Sequence, residues 1–355
     1  MRIFLFAAII CACFNAFADE DVAKVRTSEW NTSNNPFRLD ANFEANFEAM
    51  PMSGDTSKSG FGWPAYFWAN DKGGIAQRWS SNDPQHFKYE SPTLYSLKTM
   101  SAAKISELSP AEKFDIMNGR YDYPTVEKVW KQTSKGAKDW HGICHGAAPA
   151  GLHHKEPASK TVTNADGINI TFHSSDIKAL TAYYYAKISD SSSVQIGRRC
   201  FMGRFSPFRG KGCNDVNPAA LHIILGNRLG LTNKGFIADI DRLKQVWNHV
   251  AVKYESKIVR TISDLDRSVE GTHKRIHVAT KVFYTGGVDP SQFAVLGTSN
   301  EKWDVRSYEY ILDLDVTGKI IGGGWITDER PDFIWVKDKA AFQDTYYGAV
   351  KSLLK

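Results

Sequence analysis

Alternating apolar and polar residues in the last third of the chain predict β-strands. The segments HVATKVFYTGG and YEYILDLD have the period of two that a half-buried strand shows, and YEYILDLD leads through a turn near Gly318 into KIIGGGW. We therefore expect a β-rich region from about residue 256 to 336. A final helix is predicted from about Lys337 to Leu354.

Short apolar runs in the middle of the chain predict further strands. LHIIL (Leu221 to Leu225) and FIADI (Phe236 to Ile240) are two such runs, separated by a Gly-rich turn. The segment TVTNADGINITF, from Thr161 to Phe172, predicts a β-hairpin that turns at Asp166-Gly167. The centre of the chain therefore contributes strands as well as helices.

Helical periodicity and capping residues predict three central helices. SDIKALTAYYYAKI is amphipathic, with Ser175 as a candidate N-cap. Ser109 followed by Glu112 in SPAE predicts a helix that begins with a capping box. A third helix of small residues is expected to begin at Cys144, with Pro149 limiting its regularity.

These elements together predict an α+β protein with four consecutive regions. Residues 1–18 form a signal peptide, and residues 19–100, rich in Asn, Ser, Gly and aromatics, form an irregular N-terminal region. Residues 101–255 form the core that carries the candidate catalytic residues. Residues 256–355 form a β-rich C-terminal region ending in a helix.

Composition supports a folded protein and excludes a nucleic-acid partner. The chain has 355 residues, of which 42% are hydrophobic and 12% aromatic, so it can bury a large core. The formal charge of +5 is small, and no block of Lys and Arg is present. A nucleic-acid-binding function is therefore not expected.

The first residues, MRIFLFAAIICACFNAFA, predict export from the cytoplasm. They combine a basic Arg2, an apolar run and the cleavage box Ala16-Phe17-Ala18, so cleavage is expected after Ala18. The apolar run is shorter than the roughly 18 residues that a membrane span needs. The mature protein is thus expected to be secreted or periplasmic and not membrane-bound. A lipoprotein site around Cys11-Ala12-Cys13 is the weaker alternative.

Cleavage would leave an odd number of cysteines. Cys200 and Cys213 flank the Gly-rich loop CFMGRFSPFRGKGC, so a local disulfide between them is the simplest pairing, worth about 3 kcal/mol in the chain-entropy model. Cys144 is then left over. An unpaired thiol in an exported protein is either reactive or paired with another chain.

The surroundings of Cys144 predict a nucleophile. It opens the small-residue run CHGAAPAG, and a helix N-terminus favours the thiolate through its dipole and exposed N–H groups. We therefore expect a thiol that is ionised near neutral pH. The alternative is a structural cysteine buried under Trp140.

A general base for Cys144 has to come from elsewhere in the chain. His141 and His145 are too close in sequence to turn towards the thiol, whereas His222 opens an apolar strand and Asp239 lies on the next one. Asp239 could fix the imidazole tautomer of His222, with Asp241 as the competing carboxylate. The alternative for His222 is a core histidine with a satisfied hydrogen bond.

This order of residues is that of a papain-like core. A Cys opens a helix, a His follows on one strand, and an acid or amide follows on the next. In papain-like enzymes a Gln six residues before the nucleophile helps to bind the oxyanion, and here that position is Lys138, with Lys135 as a rival. A solvated lysine is the alternative for Lys138.

Several segments resemble the transglutaminase elicitors of oomycetes and their marine bacterial relatives. The W-x-G-x-C-H-G-x-A-P-A pattern carries the nucleophile in that family, and a VWNQP-type segment is the peptide that plants perceive. This chain has VWNHVAVKYE without the proline and the longer insert, a departure that bears on plant perception more than on catalysis. The matching segments are WHGICHGAAPA (Trp140 to Ala150), LSPAEKFD (Leu108 to Asp115), QVWNHVAVKYE (Gln245 to Glu255) and GGGWITDERPDFIW (Gly322 to Trp335).

The resemblance implies a secreted protein-glutamine γ-glutamyltransferase with a papain-like core. Cys144 matches the nucleophile, while His222 and Asp239 are placed by order and spacing. The implied partners are proteins, as glutamine donors and lysine acceptors, and a monomer is expected. The alternatives are a cysteine protease or glutamine deamidase using the same residues, and a non-enzymatic secreted surface protein.

Calcium is implied by the resemblance alone, because oomycete members depend on it. Asp313, Asp315 and Gly318 in DLDVTG faintly resemble the start of an EF-hand loop. They lack the bidentate Glu and the ligand spacing of such a loop, so a hairpin turn is favoured. The His residues show no metal-ligand spacing, and no metal site is predicted.

Overall fold

One antiparallel sheet forms the centre of the structure, a computed structural model that describes residues 19–80, 88–199, 213–241 and 245–355. Its strand order is β4-β10-β5-β6-β7-β8-β9, with β1 added beside β6. Strands β2 and β3 form a separate hairpin. The strands are β1 Ser53–Asp55, β2 Lys160–Thr163, β3 Asn169–Phe172, β4 Ser193–Gly197, β5 Phe236–Asp239, β6 Asn248–Ile262, β7 Lys274–Thr285, β8 Trp303–Leu314, β9 Ile320–Trp325 and β10 Phe333–Lys337.

Helices cover the sheet on both faces and form a second layer. Several 3₁₀ helices of three residues each lie between Thr32 and Ala76. The α-helices are α1 Asp19–Ala23, α2 Leu94–Thr99, α3 Ala102–Ser106, α4 Pro110–Met117, α5 Pro124–Gln132, α6 Cys144–His153, α7 Ser174–Lys187 and α8 Pro218–Ile224. In the described ranges, each helix is too short or too polar to cross a membrane.

The two faces of the sheet belong to two different hydrophobic clusters. On β5, Phe236 and Ala238 pack into a cluster that contains α8. Ile237, between them, packs into another cluster with Ala148 of α6. Because side chains alternate along a strand, α8 and α6 lie on opposite faces of the sheet. This separation determines which residues can meet Cys144.

Most elements predicted from the sequence are confirmed. The hairpin turns at Gly167, which has a φ of +80°, and the capping box of Ser109 and Glu112 begins α4. The helix predicted from Ser175 begins one residue earlier, with the Asp176 carboxylate accepting from the His173 N–H at 2.7 Å. The division predicted between residues 255 and 256 runs through strand β6. The α+β class is confirmed.

Two predicted elements are wrong. Leu221–Leu225 is not a strand, because Asn217 caps a helix that starts at Pro218 and runs through this segment into a π-helix, Leu225–Leu231. Lys337 ends β10 and does not begin a helix. Phe342 adopts a left-handed φ of +54°, and only a 3₁₀ helix, Tyr347–Ser352, follows.

A buried ion pair joins helices α4 and α7. The Lys113 ammonium lies 2.7 Å from the Asp176 carboxylate, and both side chains are fully buried. Asp176 also accepts from the Trp79 indole N–H at 2.8 Å. The segment LSPAEKFD therefore supports the fold, through its capping box and this ion pair.

Replacing Lys113 by methionine is expected to lower the free energy of unfolding by about 3–5 kcal/mol, because it leaves the Asp176 carboxylate buried without its cation. Denaturant unfolding followed by circular dichroism measures this change. The matched control is Lys131→Met, because Lys131 is exposed on α5. Equal stability of the two variants would contradict the importance assigned to the pair.

Candidate functional site

Cys144 is the first residue of helix α6, as the sequence predicts. It is a free, partly buried cysteine, and Ile143 is the N-cap residue. Ile143 is held in place by its own N–H, which donates to the Phe67 carbonyl at 2.8 Å. The thiol therefore sits at a fixed position between the helix and the sheet.

The polar contacts of the thiol come from the start of strand β6. The Asn248 side-chain Nδ2 donates to Cys144 Sγ at 3.6 Å, and Sγ lies 3.8 Å from the Val246 carbonyl oxygen, to which it donates. Burial raises the Cys144 pKa, and the backbone N–H groups of Asn248 and His145 oppose part of this rise because they favour the thiolate. Three donors are thus directed at the sulfur.

Strand β10 fixes the orientation of the Asn248 amide. The Trp335 indole N–H donates to Asn248 Oδ1 at 2.9 Å. An indole N–H can only donate, so the oxygen of the amide must face Trp335 and the NH₂ group must face Cys144. Trp335 therefore acts on the thiol through Asn248.

Asp239 ends strand β5 beside Asn248. The two residues are paired in register, so their side chains emerge on the same face with Cβ atoms roughly 5 Å apart. Asp239 Oδ1 accepts from the Trp247 N–H at 2.9 Å and from the Asp241 N–H at 3.2 Å. Its Oδ2 is buried and has no hydrogen-bond partner among the described residues.

Burial gives the Asp239 carboxyl a pKa suited to proton transfer. Desolvation raises the pKa of Asp239 to about 7, against the lowering effect of the two N–H groups that it accepts from. The negative charge of Asp239 in turn raises the pKa of Cys144. A carboxyl that titrates near neutral pH thus lies within electrostatic range of the thiol.

The ionised thiol expected from the sequence is not what the structure favours. Burial is the largest influence on Cys144 and raises its pKa, outweighing the N–H donors of Asn248 and His145. The helix N-terminus does not compensate for this desolvation. The thiol needs a proton acceptor during the reaction, because it is not already a thiolate at neutral pH.

His222 does not meet Cys144. It lies on α8, on the opposite face of the sheet, where its Nδ1 bonds the Tyr310 hydroxyl at 2.9 Å and its ring stacks on Phe47. Burial lowers the pKa of His222 to about 4. The prediction of His222 as the base is therefore corrected to the alternative of a core histidine. No histidine in the described ranges hydrogen-bonds Sγ.

The remaining predicted site residues differ in how far they approach the thiol. Asp241 lies beyond the end of β5, so the buried carboxylate is Asp239. Lys138 and Lys135 are exposed in the loop before α6, and Lys138 remains a predicted oxyanion donor. The predicted disulfide also remains a prediction, because Cys200 lies outside the described residues.

The carboxylates suggested for calcium do not fit a cation site. Asp313 Oδ2 accepts from the Val269 N–H at 2.9 Å and from the Thr27 hydroxyl, and Arg275 is its ion-pair partner. Asp315 accepts the N–H of Thr317 inside the hairpin turn. The described residues contain no group of three or more His, Cys, Asp or Glu arranged to hold a metal.

Glycines around Cys144 allow the backbone to pack closely. A Cβ at Gly142 would overlap the Phe67 carbonyl oxygen, and one at Gly146 would overlap the Ala182 carbonyl and lie 2.6 Å from Ala186 Cβ. Gly146 therefore sets the distance between α6 and α7. This explains why small residues follow Cys144.

Gly146→Ala is expected to lower the free energy of unfolding by about 1–3 kcal/mol, because the clash exceeds the ~1 kcal/mol by which Ala favours a helix over Gly. Thermal unfolding measures the effect. Gly287→Ala is the control, since a Cβ there meets nothing within 4 Å. A Gly146→Ala variant as stable as the control would show that α6 and α7 can separate freely.

A comparison with known protein families assigns the chain to one of them. The family model described as transglutaminase elicitor matches residues 37–349. The chain belongs to the transglutaminase elicitor family. None of the curated proteins matches it.

The fold of this chain is similar to that in the crystal structure of the GP42 transglutaminase from Phytophthora sojae. The TM-score is 0.69 at 20% sequence identity, with 92% of this chain and 98% of that chain covered. At this identity the likeness shows a shared fold. Three of the four segments that resemble the family meet at the thiol, through Cys144, Asn248 and Trp335.

Sequence reasoning missed Asn248 and Trp335. Both lie in segments that resemble the family, but neither residue type by itself indicates a catalytic role. The neighbouring Trp247 is half-buried and packs against Phe67, with ring centroids 5.4 Å apart. Their roles depend on the pairing of β5 with β6 and with β10, which the local sequence pattern does not contain.

Proposed function

We propose that this protein is a protein-glutamine γ-glutamyltransferase with Cys144 as its nucleophile. The observation that carries the proposal is the contact of Cys144 Sγ with the Asn248 amide, which Trp335 orients. A nucleophilic side chain held by an oriented donor, with a titrating carboxyl nearby, is the geometry that acyl transfer requires. Family membership supports the same reaction class.

In the first half-reaction the Cys144 sulfur attacks the carboxamide carbon of a substrate glutamine. Asp239 takes the thiol proton as the carbon–sulfur bond forms. The tetrahedral intermediate then breaks its carbon–nitrogen bond, and the same proton passes from Asp239 to the departing ammonia. A thioester remains on Cys144, and Asp239 is again a carboxylate.

In the second half-reaction the amine of a substrate lysine attacks the thioester. Asp239 accepts the proton that the amine loses, the new carbon–nitrogen bond forms, and the carbon–sulfur bond breaks. The proton returns to the Cys144 sulfur. A pKa of about 7 suits Asp239 for this alternation, because a carboxyl near the working pH both accepts and donates protons.

Asn248 is the proposed donor to the oxyanion of both tetrahedral intermediates. Its Nδ2 lies within contact of Sγ, so a carbonyl carbon bonded to the sulfur would place its oxygen close to the same NH₂ group. Lys138 is proposed as a second donor from the loop before α6. A helix that opens with the nucleophile and packs on an antiparallel sheet supports a papain-like core, with Asn248 and Asp239 on the neighbouring strands.

Export of the protein is also part of this proposal. Residues 1–18, which lie outside the described residues, are proposed to direct secretion and to be removed after Ala18. The protein partners are proposed to be glutamine donors and lysine acceptors outside the cytoplasm.

The alternative enzymatic function is hydrolysis, in which water replaces the amine and gives deamidation or peptide cleavage. Phe67 and Trp247 next to the site favour transfer, because an aromatic border limits the access of water to the thioester. A non-enzymatic elicitor is the second alternative.

The test incubates the purified protein with a glutamine-containing peptide and a fluorescent primary amine. Transfer predicts that the amine-linked peptide exceeds the peptide in which the glutamine has become a glutamate residue, with one ammonia released for each amide formed. An excess of the glutamate-containing peptide would indicate a deamidase, and new peptide termini would indicate a protease. The absence of every product, with a folded protein, would favour the non-enzymatic alternative.

A further inference from the structure

A cavity of about 540 Å³ lies at the end of helix α6 opposite to Cys144. Leu152 and His153, near the last turn of α6, line it, and the helical rise places His153 roughly 13 Å from Cys144 along the axis. The cavity is therefore separate from the thiol site. Its volume is in the range of a small-molecule site.

One wall of the cavity is apolar. Val250 and Val252 of β6 line it beside Leu152, and these three residues pack in one apolar cluster; Phe61 also lines the cavity. Val250 and Val252 are two residues apart on one strand, so they present one face. An apolar wall of this kind favours a ligand with a hydrocarbon portion.

The lining of the cavity also contains four cationic residues. Arg228, Lys234, Lys337 and Lys339 line it, and Asp338 is the single acidic residue among the lining residues. Within the described ranges none of the four cations forms an ion pair with a carboxylate. The residues that line the cavity thus carry more positive than negative charge.

Two of these cations are held in fixed positions. Arg228 donates from Nε and Nη2 to the Gly235 carbonyl at 3.0 and 2.6 Å, and the Lys337 ammonium donates to the Tyr185 carbonyl at 2.9 Å. Burial lowers the pKa of Arg228 to about 10 and also lowers the pKa of Lys337. The Lys337 ammonium is thus directed to a carbonyl outside the cavity lining, and Lys234 and Lys339 are the exposed ammonium groups among the lining residues.

We propose that this cavity binds an amphiphilic anion, a carboxylate or phosphate headgroup on a linear hydrocarbon chain. The headgroup lies between Lys234 and Lys339, and the chain lies against Val250 and Val252. A purely polar anion would leave the apolar wall in contact with water and would gain nothing from its burial. An uncharged hydrocarbon would leave the cations of the cavity without an anionic partner.

The test is calorimetric titration of the full mature chain with decanoate, decyl phosphate, decanol and inorganic phosphate. Both amphiphilic anions are expected to bind. The one with the higher affinity identifies the preferred headgroup, carboxylate or phosphate. Shortening the acid from ten carbons to eight is expected to weaken binding about fourfold for each methylene removed. The double variant Lys234→Gln/Lys339→Gln is expected to weaken binding at least about tenfold, because it removes two charged hydrogen-bond donors to the headgroup. Both lysines are exposed, so their replacement is expected to leave the fold intact.

Lys274→Gln/Lys319→Gln is the charge-matched control, since both lysines are exposed on other parts of the sheet. It is expected to bind with the affinity of the wild type. Three results would overturn the proposal: equal affinity of the Lys234/Lys339 variant and the wild type, decanol binding as tightly as decanoate, or inorganic phosphate binding as tightly as decyl phosphate. Because binding is read directly, the result does not depend on whether the protein transfers acyl groups.

Discussion

Cys144→Ala is expected to reduce amine incorporation by a factor of about 10⁴ or more, which is the size of loss seen when a covalent nucleophile is removed. The sulfur forms the thioester, and nothing else that the described residues place beside Asn248 can replace it. Its contacts are weak hydrogen bonds at 3.6 and 3.8 Å, so the variant is expected to fold normally. Product formation per hour and thermal unfolding are measured on the same preparation.

Cys144→Ser serves as a second variant that keeps the shape of the side chain and both contacts. It is expected to be similarly inactive, because a serine hydroxyl without a strong base is a poor nucleophile. Activity above a tenth of the wild-type value in either folded variant would contradict the assignment of Cys144 as nucleophile.

Asp239→Asn is expected to reduce the rate of amine incorporation about 10²- to 10⁴-fold, the contribution usual for general acid–base catalysis. The asparagine keeps the acceptor for the N–H groups of Trp247 and Asp241 but cannot carry the proton. In the wild type, the rate should rise with pH through about 7, where the Asp239 pKa lies. This rise of the rate with pH should be absent in the Asp239→Asn variant.

His222→Gln provides the comparison for Asp239→Asn. His222 packs beside Phe47 and Tyr310 and is not expected to take part in the reaction. The folded variant should therefore show the wild-type dependence of the amine-incorporation rate on pH. A His222→Gln variant that loses activity without losing stability would restore His222 as a catalytic candidate and contradict the separation described above.

The raised pKa of Asp239 also predicts how the free energy of unfolding depends on pH. Its pKa is raised in the folded state to about 7 from an ordinary value of 3.8. Between these values the folded chain keeps the proton that the unfolded chain has released, so the contribution of Asp239 to stability falls as the pH rises through this window. Above pH 7 both states are ionised and the contribution is constant. Asp239→Asn should therefore weaken this dependence.

The sequence predicts the nucleophile better than its partners. Cys144 could be found because an odd thiol, small residues and a helix start coincide in one segment. Asn248 and Trp335 could not, because their roles arise from the order of strands β10, β5 and β6, which no local pattern contains. His222 was misplaced because a short apolar run fits a strand or a buried helix equally well. The Asn217-Pro218 start signal identifies the helix.

The desolvation of the site also could not be predicted from the sequence. A helix N-terminus suggests a low thiol pKa, but the packing of Cys144 against the start of β6 removes water from the sulfur and has the larger effect. The same kind of burial raises the pKa of Asp239 to about 7, the range in which a carboxyl both accepts and donates protons near neutral pH. A helix start can be recognised from the local sequence, whereas the burial of a side chain depends on the assembled fold.

The central claim is that Cys144 forms a thioester with a glutamine side chain. Intact-mass spectrometry of the wild type, quenched in acid after incubation with a glutamine peptide and no amine, tests it directly. The account predicts an adduct equal to the peptide mass minus ammonia, mapped to Cys144 and removed by hydroxylamine. Unmodified protein under conditions where the amide product forms, or the same adduct on the Cys144→Ala variant, would contradict the account.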